Sequence, residues 1–237
     1  MSLEVRHWPG PAAFLLVHGL ASNARTWDGV AERLAAAGRG VVAVDQRGHG
    51  RSDKPDDGYD FATLTGDLVT VVTALNMAPV VAVGQSWGGN VVVELAACHG
   101  AIVRGVAGVD GGTIELSQRF DSWADASKAL SPPHLEGMLR DKIEDEMRRM
   151  HGDWPEAGIQ GALANFETRD DGTVAPWLSR DRHMRILREL WHHRPSAVLP
   201  TLTAPVLLVD ATDHGADHDI HAQKPDLVAR LLLERFP

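Results

Sequence analysis

Val80-Val81-Ala82-Val83-Gly84-Gln85-Ser86-Trp87-Gly88-Gly89-Asn90-Val91-Val92-Val93-Glu94-Leu95 is the stretch around which the rest of the chain is read. A β-branched apolar run of strand length ends at Gly84. Ser86 follows two residues later, and Gly88-Gly89 opens a second apolar run that continues to Cys98. The pattern is strand, tight turn, helix, with G-x-S-x-G across the turn. A serine hydroxyl is a weak nucleophile and must project from a sharp turn to meet both a base and a substrate. Gly84 and Gly88 keep Cβ atoms out of the space where strand and helix cross. The helix turns its positive end toward the serine, which favours a developing oxyanion. The competing reading is a nucleotide-binding turn with an incidental serine. The strand before it and the helix after it weigh against that.

Composition narrows the classes. The 237 residues fit one domain of ordinary size, or one with a sizeable insertion, and 44% hydrophobic residues supply a core. A net charge of −9 argues against a nucleic-acid partner, which needs a basic face. There is no cationic start followed by an apolar signal core, and no apolar run of membrane-spanning length. The expectation is therefore a soluble, cytoplasmic protein with no membrane partner. The single cysteine, Cys98, cannot form an internal disulfide and reads as a buried thiol on the apolar face of its helix.

Taken in order, Leu3 to His7 reads as a short edge strand and Ala13 to Val17 as a buried parallel strand running into His18-Gly19-Leu20. Trp27 to Ala37 has helical periodicity and stops at Gly38. Val41 to Val44 is the next strand, followed by the polar loop Asp45-Gln46-Arg47-Gly48-His49-Gly50-Arg51-Ser52. That loop reads better as a hydrogen-bonded turn bracing the sheet than as a metal or phosphate site. Phe61 to Leu75 is amphipathic, and Ile102 to Val109 is a strand ending at Asp110-Gly111-Gly112. Continuously apolar strands alternating with helices predict a parallel sheet covered on both faces, with functional groups at the carboxyl ends of its strands. His18, Ser86 and Asp110 all lie at such ends. From 113 to 200 the character changes to four tryptophans (Trp123, Trp154, Trp177, Trp191), a charge-dense helix over Glu136 to Met150 and no buried-strand pattern. This segment reads as a helical insertion. Pro205 to Val209 then resumes the sheet and Asp226 to Phe236 is a closing helix.

Together these motifs resemble the α/β-hydrolase superfamily, specifically a capped, serine-nucleophile esterase or lactonase. The matching elements are His18-Gly19, Asp45 to Ser52, Gly84 to Gly89, and His218 seven residues before Pro225. The resemblance implies an α/β fold with residues 1–112 and 201–237 as a core of mostly parallel sheet flanked by helices, and 113–200 as a helical cap. It implies Ser86 as nucleophile, His218 as general base, and the backbone N–H groups of Leu20 and Trp87 as oxyanion hole. The acid has two family positions: Asp110 suits the earlier one and is favoured, Asp213 lies near the later one, and Asp210 is a weaker third candidate. His221 is the fallback base, and His192 and His193 read as surface residues. His214, His218 and His221 with Asp217 and Asp219 also suggest a metal site, but a loop is a poor frame for one. The family places a helix and a final strand between the late acid loop and the histidine loop. Here only His214 to Asp217 separate Asp213 from His218, so the chain lacks a segment near 212–215 that the resemblance calls for.

The implied activity is hydrolysis of a small apolar or aromatic carboxylic ester or lactone through an acyl-enzyme, with a small-molecule substrate and neither cofactor nor metal. The same frame serves carbon–carbon bond hydrolases, thioesterases and perhydrolases, and some non-catalytic small-molecule receptors retain the triad. Epoxide hydrolases and dehalogenases of the superfamily share the Gln85-x-Trp87-Gly88-Gly89 context but use an aspartate where this chain has Ser86. Composition and motifs leave the oligomeric state open.

Overall fold

Strand runs that are apolar at every position have two faces to bury, and the sheet meets this by sending alternate residues to opposite sides. The computed structural model describes residues 1–237. In chain order it builds β1 (Val5–Trp8), β2 (Phe14–Val17), α1 (Asp28–Ala36), β3 (Val41–Val44), α2 (Phe61–Ala74), β4 (Val80–Gln85), α3 (Trp87–Cys98) and β5 (Val103–Val109). Residues 113–200 contribute α4 (Trp123–Ala129), α5 (Arg140–Met150), α6 (Glu156–Leu163), β6 (Phe166–Thr168), β7 (Val174–Pro176), α7 (Arg180–His192) and α8 (Pro195–Val198). The chain then closes with β8 (Val206–Val209), α9 (Ile220–Gln223) and α10 (Pro225–Arg235).

Six strands form one sheet in the order β1-β3-β2-β4-β5-β8. Only the edge strand β1 runs antiparallel. Leu15, Val17, Val42, Ala82 and Val106 pack on one face with Leu64 and Leu68 of α2 and Val91, Val92 and Leu95 of α3. Phe14, Leu16, Ala43, Val81, Val83 and Ala107 pack on the other with Val30 and Leu34 of α1 and Val228 and Leu232 of α10. Burying each larger aliphatic chain contributes about 2 kcal/mol, so the two half-cores hold the strand ends in register.

Residues 113–200, expected to be helical, are not wholly so. They contain the hairpin β6–β7, whose three-residue strands include Pro176 and mostly half-buried or exposed positions, so they carry no continuous apolar signature. The charge-dense helix starts at Arg140 rather than Glu136. The segment is fastened to the core by Asn23, whose Nδ2 donates to Gly161 O (2.8 Å) and Asn165 Oδ1 (2.5 Å). Ile186, Leu187 and Leu190 of α7 enter the same core as α2 and α3. Cys98 is exposed rather than buried, as is Ala97 beside it in the last turn of α3, and its Sγ lies 3.5 Å from Glu94 Oε1.

β8 is the far edge of the sheet, with Leu208 49% exposed on it. Beyond it, a single turn over Thr212–His214 and Gly215 at φ +54° carry the chain directly to His218, with no intervening helix or strand. The Lys224 ammonium donates to His214 O and Gly215 O at 2.8 Å each and holds this short connection against α10. No helix is long and apolar enough to cross a membrane.

Where β4 meets α3 the backbones are in contact. A Cβ on Gly84 would lie 2.1 Å from Gly88 O, and one on Gly88 would lie 2.4 Å from His18 O. Gly84→Ala is expected to destabilise the fold by about 3 kcal/mol, since backbone rather than a flexible side chain must yield. A urea unfolding midpoint equal to wild type would overturn that account.

Candidate active site

Ser86 sits between the end of β4 and the first turn of α3 with φ 51° and ψ −125°. This is a region that a residue with a Cβ rarely adopts, at a cost of order 1–3 kcal/mol. The flanking elements impose it: the Ser86 N–H donates to Val109 O (3.1 Å), and Ser86 O accepts from the Gly89 N–H (2.9 Å). The result is a half-buried side chain standing at the carboxyl edge of the sheet. Its Oγ is not hydrogen-bonded to any protein group.

One strand along, Asp110 also has positive φ, at 45°. Its N–H donates to Val209 O (2.7 Å), and its Oδ1 accepts from the Ala211 N–H (3.0 Å). Its Oδ2 is in direct hydrogen-bond contact with His218 Nδ1. That contact places the proton on Nδ1 in the neutral ring and leaves Nε2 as a free base. The Gln85 side chain donates to His218 O (3.1 Å), tying the histidine loop to the residue before the serine. Asp210 is engaged elsewhere, accepting from the Thr212 N–H (2.8 Å) and hydroxyl (2.6 Å), which hold its carboxyl below the usual range. Asp213 stands exposed on the Thr212–His214 turn. Of the three aspartates, Asp110 is the one brought to His218.

The turn after β2 is organised by two buried histidines. His18 Nε2 accepts from the Gln46 N–H (3.0 Å), so its Nδ1 carries the proton and donates to Gly19 O (2.7 Å). His49 Nε2 accepts from the Ala21 N–H (3.3 Å) and its Nδ1 donates to Arg47 O (3.0 Å). The Leu20 N–H between these anchored residues donates to no protein acceptor. The Trp87 N–H, first in α3, likewise has no acceptor within its helix. The turn lies against the serine, since a Cβ on Gly19 would come within 3.1 Å of Ser86 Cβ. The loop after β3 braces all this: Asp45 accepts from the Ala24 N–H (2.7 Å) and the Arg51 N–H (2.9 Å), and Ser52 Oγ donates to Asp45 O (2.5 Å).

The histidines that cluster in sequence diverge in space. His218 meets Asp110, His214 stays on the turn, and His221 is fully buried with its ring 4.3 Å from that of Trp27. No three His, Cys, Asp or Glu side chains converge to hold a metal ion. His193 is buried rather than at the surface. Its Nε2 contacts Glu94 Oε2 (3.2 Å), its Nδ1 contacts Asn90 Nδ2 (3.0 Å), and its ring stacks on Phe61 at 4.1 Å. It closes the end of α7 onto the serine helix, a contact between segments about a hundred residues apart.

The profile of the alpha/beta hydrolase fold family matches residues 12–152, more than half of the chain. The chain belongs to the α/β-hydrolase family. Over 110 residues, 46% of its length, this α/β hydrolase is 34% identical to 2-(acetamidomethylene)succinate hydrolase of Mesorhizobium japonicum. Over 101 residues, 42% of its length, it is 38% identical to epoxide hydrolase A of Mycobacterium tuberculosis. These alignments span only 39% and 31% of the two relatives. The crystal structure of E-2-(acetamidomethylene)succinate hydrolase superposes with TM-score 0.80 at 24% identity, covering 98% of this chain and 94% of that one. A thioesterase domain from the curacin biosynthetic pathway superposes with TM-score 0.75 at 20% identity, over 98% of this chain and 94% of that one. At these identities the structural likeness concerns the fold.

Within this α/β hydrolase, Gln85, Gln46 and the pair His18–His49 brace the turns around Ser86, although the motifs that contain the two glutamines assign them no role. Their signal lies only in burial, at 1% and 3% exposure, which a sequence does not display. Burial also sets the charge state of three histidines. Desolvation pushes His18 down to about 4 and His221 down to about 3. It holds His49 well below the usual histidine range, with the neighbouring His18 adding to the effect. In the unfolded chain these rings titrate near the ordinary value of about 6.5. Below that pH the unfolded state takes up protons that the native state refuses. Stability from these groups is therefore complete above about pH 6.5 and is lost as pH falls toward about 4. Each ring contributes about 1.4 kcal/mol per pH unit at full effect, so the three together approach about 4 kcal/mol per unit. Urea midpoints are expected to fall steeply from pH 7.5 to pH 5, with about a third of that slope removed in His221→Leu. A flat profile would overturn the assignment.

Proposed function

We propose that the protein is a serine hydrolase that cleaves a small carboxylic ester or lactone through an acyl-enzyme. The observation that carries this reading is the contact of His218 with Asp110 beside an unengaged serine on a strained strand–helix turn. His218 Nε2 accepts the Ser86 proton as Oγ attacks the acyl carbon. The Leu20 and Trp87 N–H groups receive the negative charge that develops on the carbonyl oxygen. His218 then passes the proton to the leaving alkoxide, and the alcohol departs. Water, deprotonated by the same nitrogen, attacks the acyl-enzyme and releases the acid with Ser86 restored. Asp110 holds the imidazole in the tautomer that exposes Nε2 and stabilises the imidazolium. The Ser86–His218 hydrogen bond forms as the histidine, 55% exposed at the loop, closes toward the serine. Residues 113–200 act as the cap that covers this chemistry.

The same machinery accommodates a thioester, since only the leaving group changes, and the fold likeness to a thioesterase domain keeps that reading alongside the ester. A fluorophosphonate is expected to label Ser86, which separates an enzyme from a silent receptor. Ser86→Ala and Asp110→Asn are expected to lower kcat for p-nitrophenyl ester hydrolysis by about 10³-fold or more, with Asp213→Asn within about twofold of wild type. Loss of activity in Asp213→Asn with Asp110→Asn intact would move the acid to the later loop. Full activity in Ser86→Ala would end the serine mechanism.

A further inference from the structure

The residues just after Leu20 form one wall of a cavity of about 570 Å³ between the sheet edge and the inserted segment. Ala21, Ser22 and Gly50 line it on one side, and the 132–136, 165–166, 175–180 and 182–183 segments line it on the other. The 19–22 turn links it to the serine: a Cβ on Gly19 would come within 3.1 Å of Ser86 Cβ, and two residues on the Ala21 N–H donates to His49 Nε2. Ser86 and His218 do not line it, so it suits the part of a substrate away from the reacting carbonyl.

The charge of the cavity runs against that of the protein. The chain carries −9, yet Arg180 and Arg182 face this cavity and Glu136 is its one carboxylate. Glu136 is balanced from outside by Arg169, whose Nη2 donates to its Oε1 at 2.5 Å. Arg182 pairs with Asp56 at 3.1 Å, but that aspartate is 98% exposed and the pair is screened by water. Arg180, an exposed residue at the rim, has no carboxylate partner; its one protein hydrogen bond is donation to Pro132 O (2.6 Å), which leaves most of its guanidinium donors free for a ligand. His183 Nε2 lies 3.3 Å from Leu130 O, and burial holds its ring below the usual histidine range. Phe166 and Trp177 supply apolar wall beside the arginines. An uncompensated guanidinium next to aromatic surface, in an otherwise acidic protein, fits a ligand with a short apolar body and a terminal carboxylate, met by paired N–H donors.

We propose that this cavity selects substrates bearing a carboxylate remote from the scissile bond, such as a half-ester of a dicarboxylic acid, with Arg180 as the residue that sets the preference. The inference rests on the serine-hydrolase reading for the reaction, but the binding of the carboxylate can be measured without it.

The test compares p-nitrophenyl hydrogen glutarate with p-nitrophenyl pentanoate, which share a leaving group and acyl length. Wild type is expected to favour the anionic ester in kcat/KM by about tenfold or more, the range of one charge-assisted hydrogen-bonded pair. Arg180→Gln is expected to remove most of that ratio through KM of the anionic ester. Arg185→Gln is the charge control, since Arg185 is paired with Asp181 outside the cavity. Its ratio is expected to match wild type. A wild-type preference for the neutral ester, an unchanged ratio in Arg180→Gln, or an equal loss in Arg185→Gln would each overturn the proposal. If neither ester is hydrolysed, the esterase reading fails and calorimetric titration with glutarate decides the cavity separately. Binding that Arg180→Gln weakens supports the carboxylate site; no binding to wild type overturns it.

Discussion

A serine held at positive φ has to be forced there by its neighbours, and most of this molecule can be understood as what that forcing requires. β4 must deliver the chain to the sheet edge, and α3 must leave at once, with backbone packed on backbone at Gly84 and Gly88. Ser86 then has a single place to stand, fixed from one side by Val109 O and from the other by the first turn of its helix. The strain is tolerable because the two half-cores on either face of the sheet hold β2, β4 and β5 in register, so relaxing the turn would mean unpacking both.

The partner groups inherit their positions from the same sheet. Asp110 emerges from β5, paired directly with the serine strand, and β8 fixes its carboxylate through the Ala211 N–H. The connection from β8 to His218 is short, and three contacts replace the support that a longer excursion would provide: Lys224 on the turn carbonyls, Gln85 on His218 O and Asp110 on the ring. A short loop also explains why the carboxylate that meets His218 comes from the end of β5. Asp213 lies on the turn itself, only a few residues from His218, and the turn points it to solvent.

Charge is distributed in a correspondingly uneven way. Three imidazoles are sealed as neutral hydrogen-bonding or packing groups beneath the site, where desolvation outweighs any neighbouring carboxylate. The surface is acidic, while the cavity beside the 19–22 turn keeps an arginine without a counter-charge. Carrying positive charge against the overall sign is a local feature of that cavity.

The sequence by itself determined the strand–serine–helix turn, the parallel character of the sheet and the succession of its buried strands along the chain, because these follow from local periodicity and from steric rules that act over a few residues. The family resemblance also pointed to a few aspartates as candidate acids and to neighbouring histidines as candidate bases. What the sequence left undecided depends on distance in space. That Asp110 and not Asp213 meets His218 is a contact across 108 residues. That His193 is buried against Glu94 and Asn90 depends on α7 docking onto α3. The exposed Cys98 and the small hairpin at 166–176 were misread because helical periodicity and short apolar runs do not say which flank the rest of the chain will cover. Gln85 and Gln46 are polar residues whose roles exist only once the fold buries them. Local sterics are written residue by residue; burial and pairing across the chain are properties of the packed whole, and only the tertiary structure decides them.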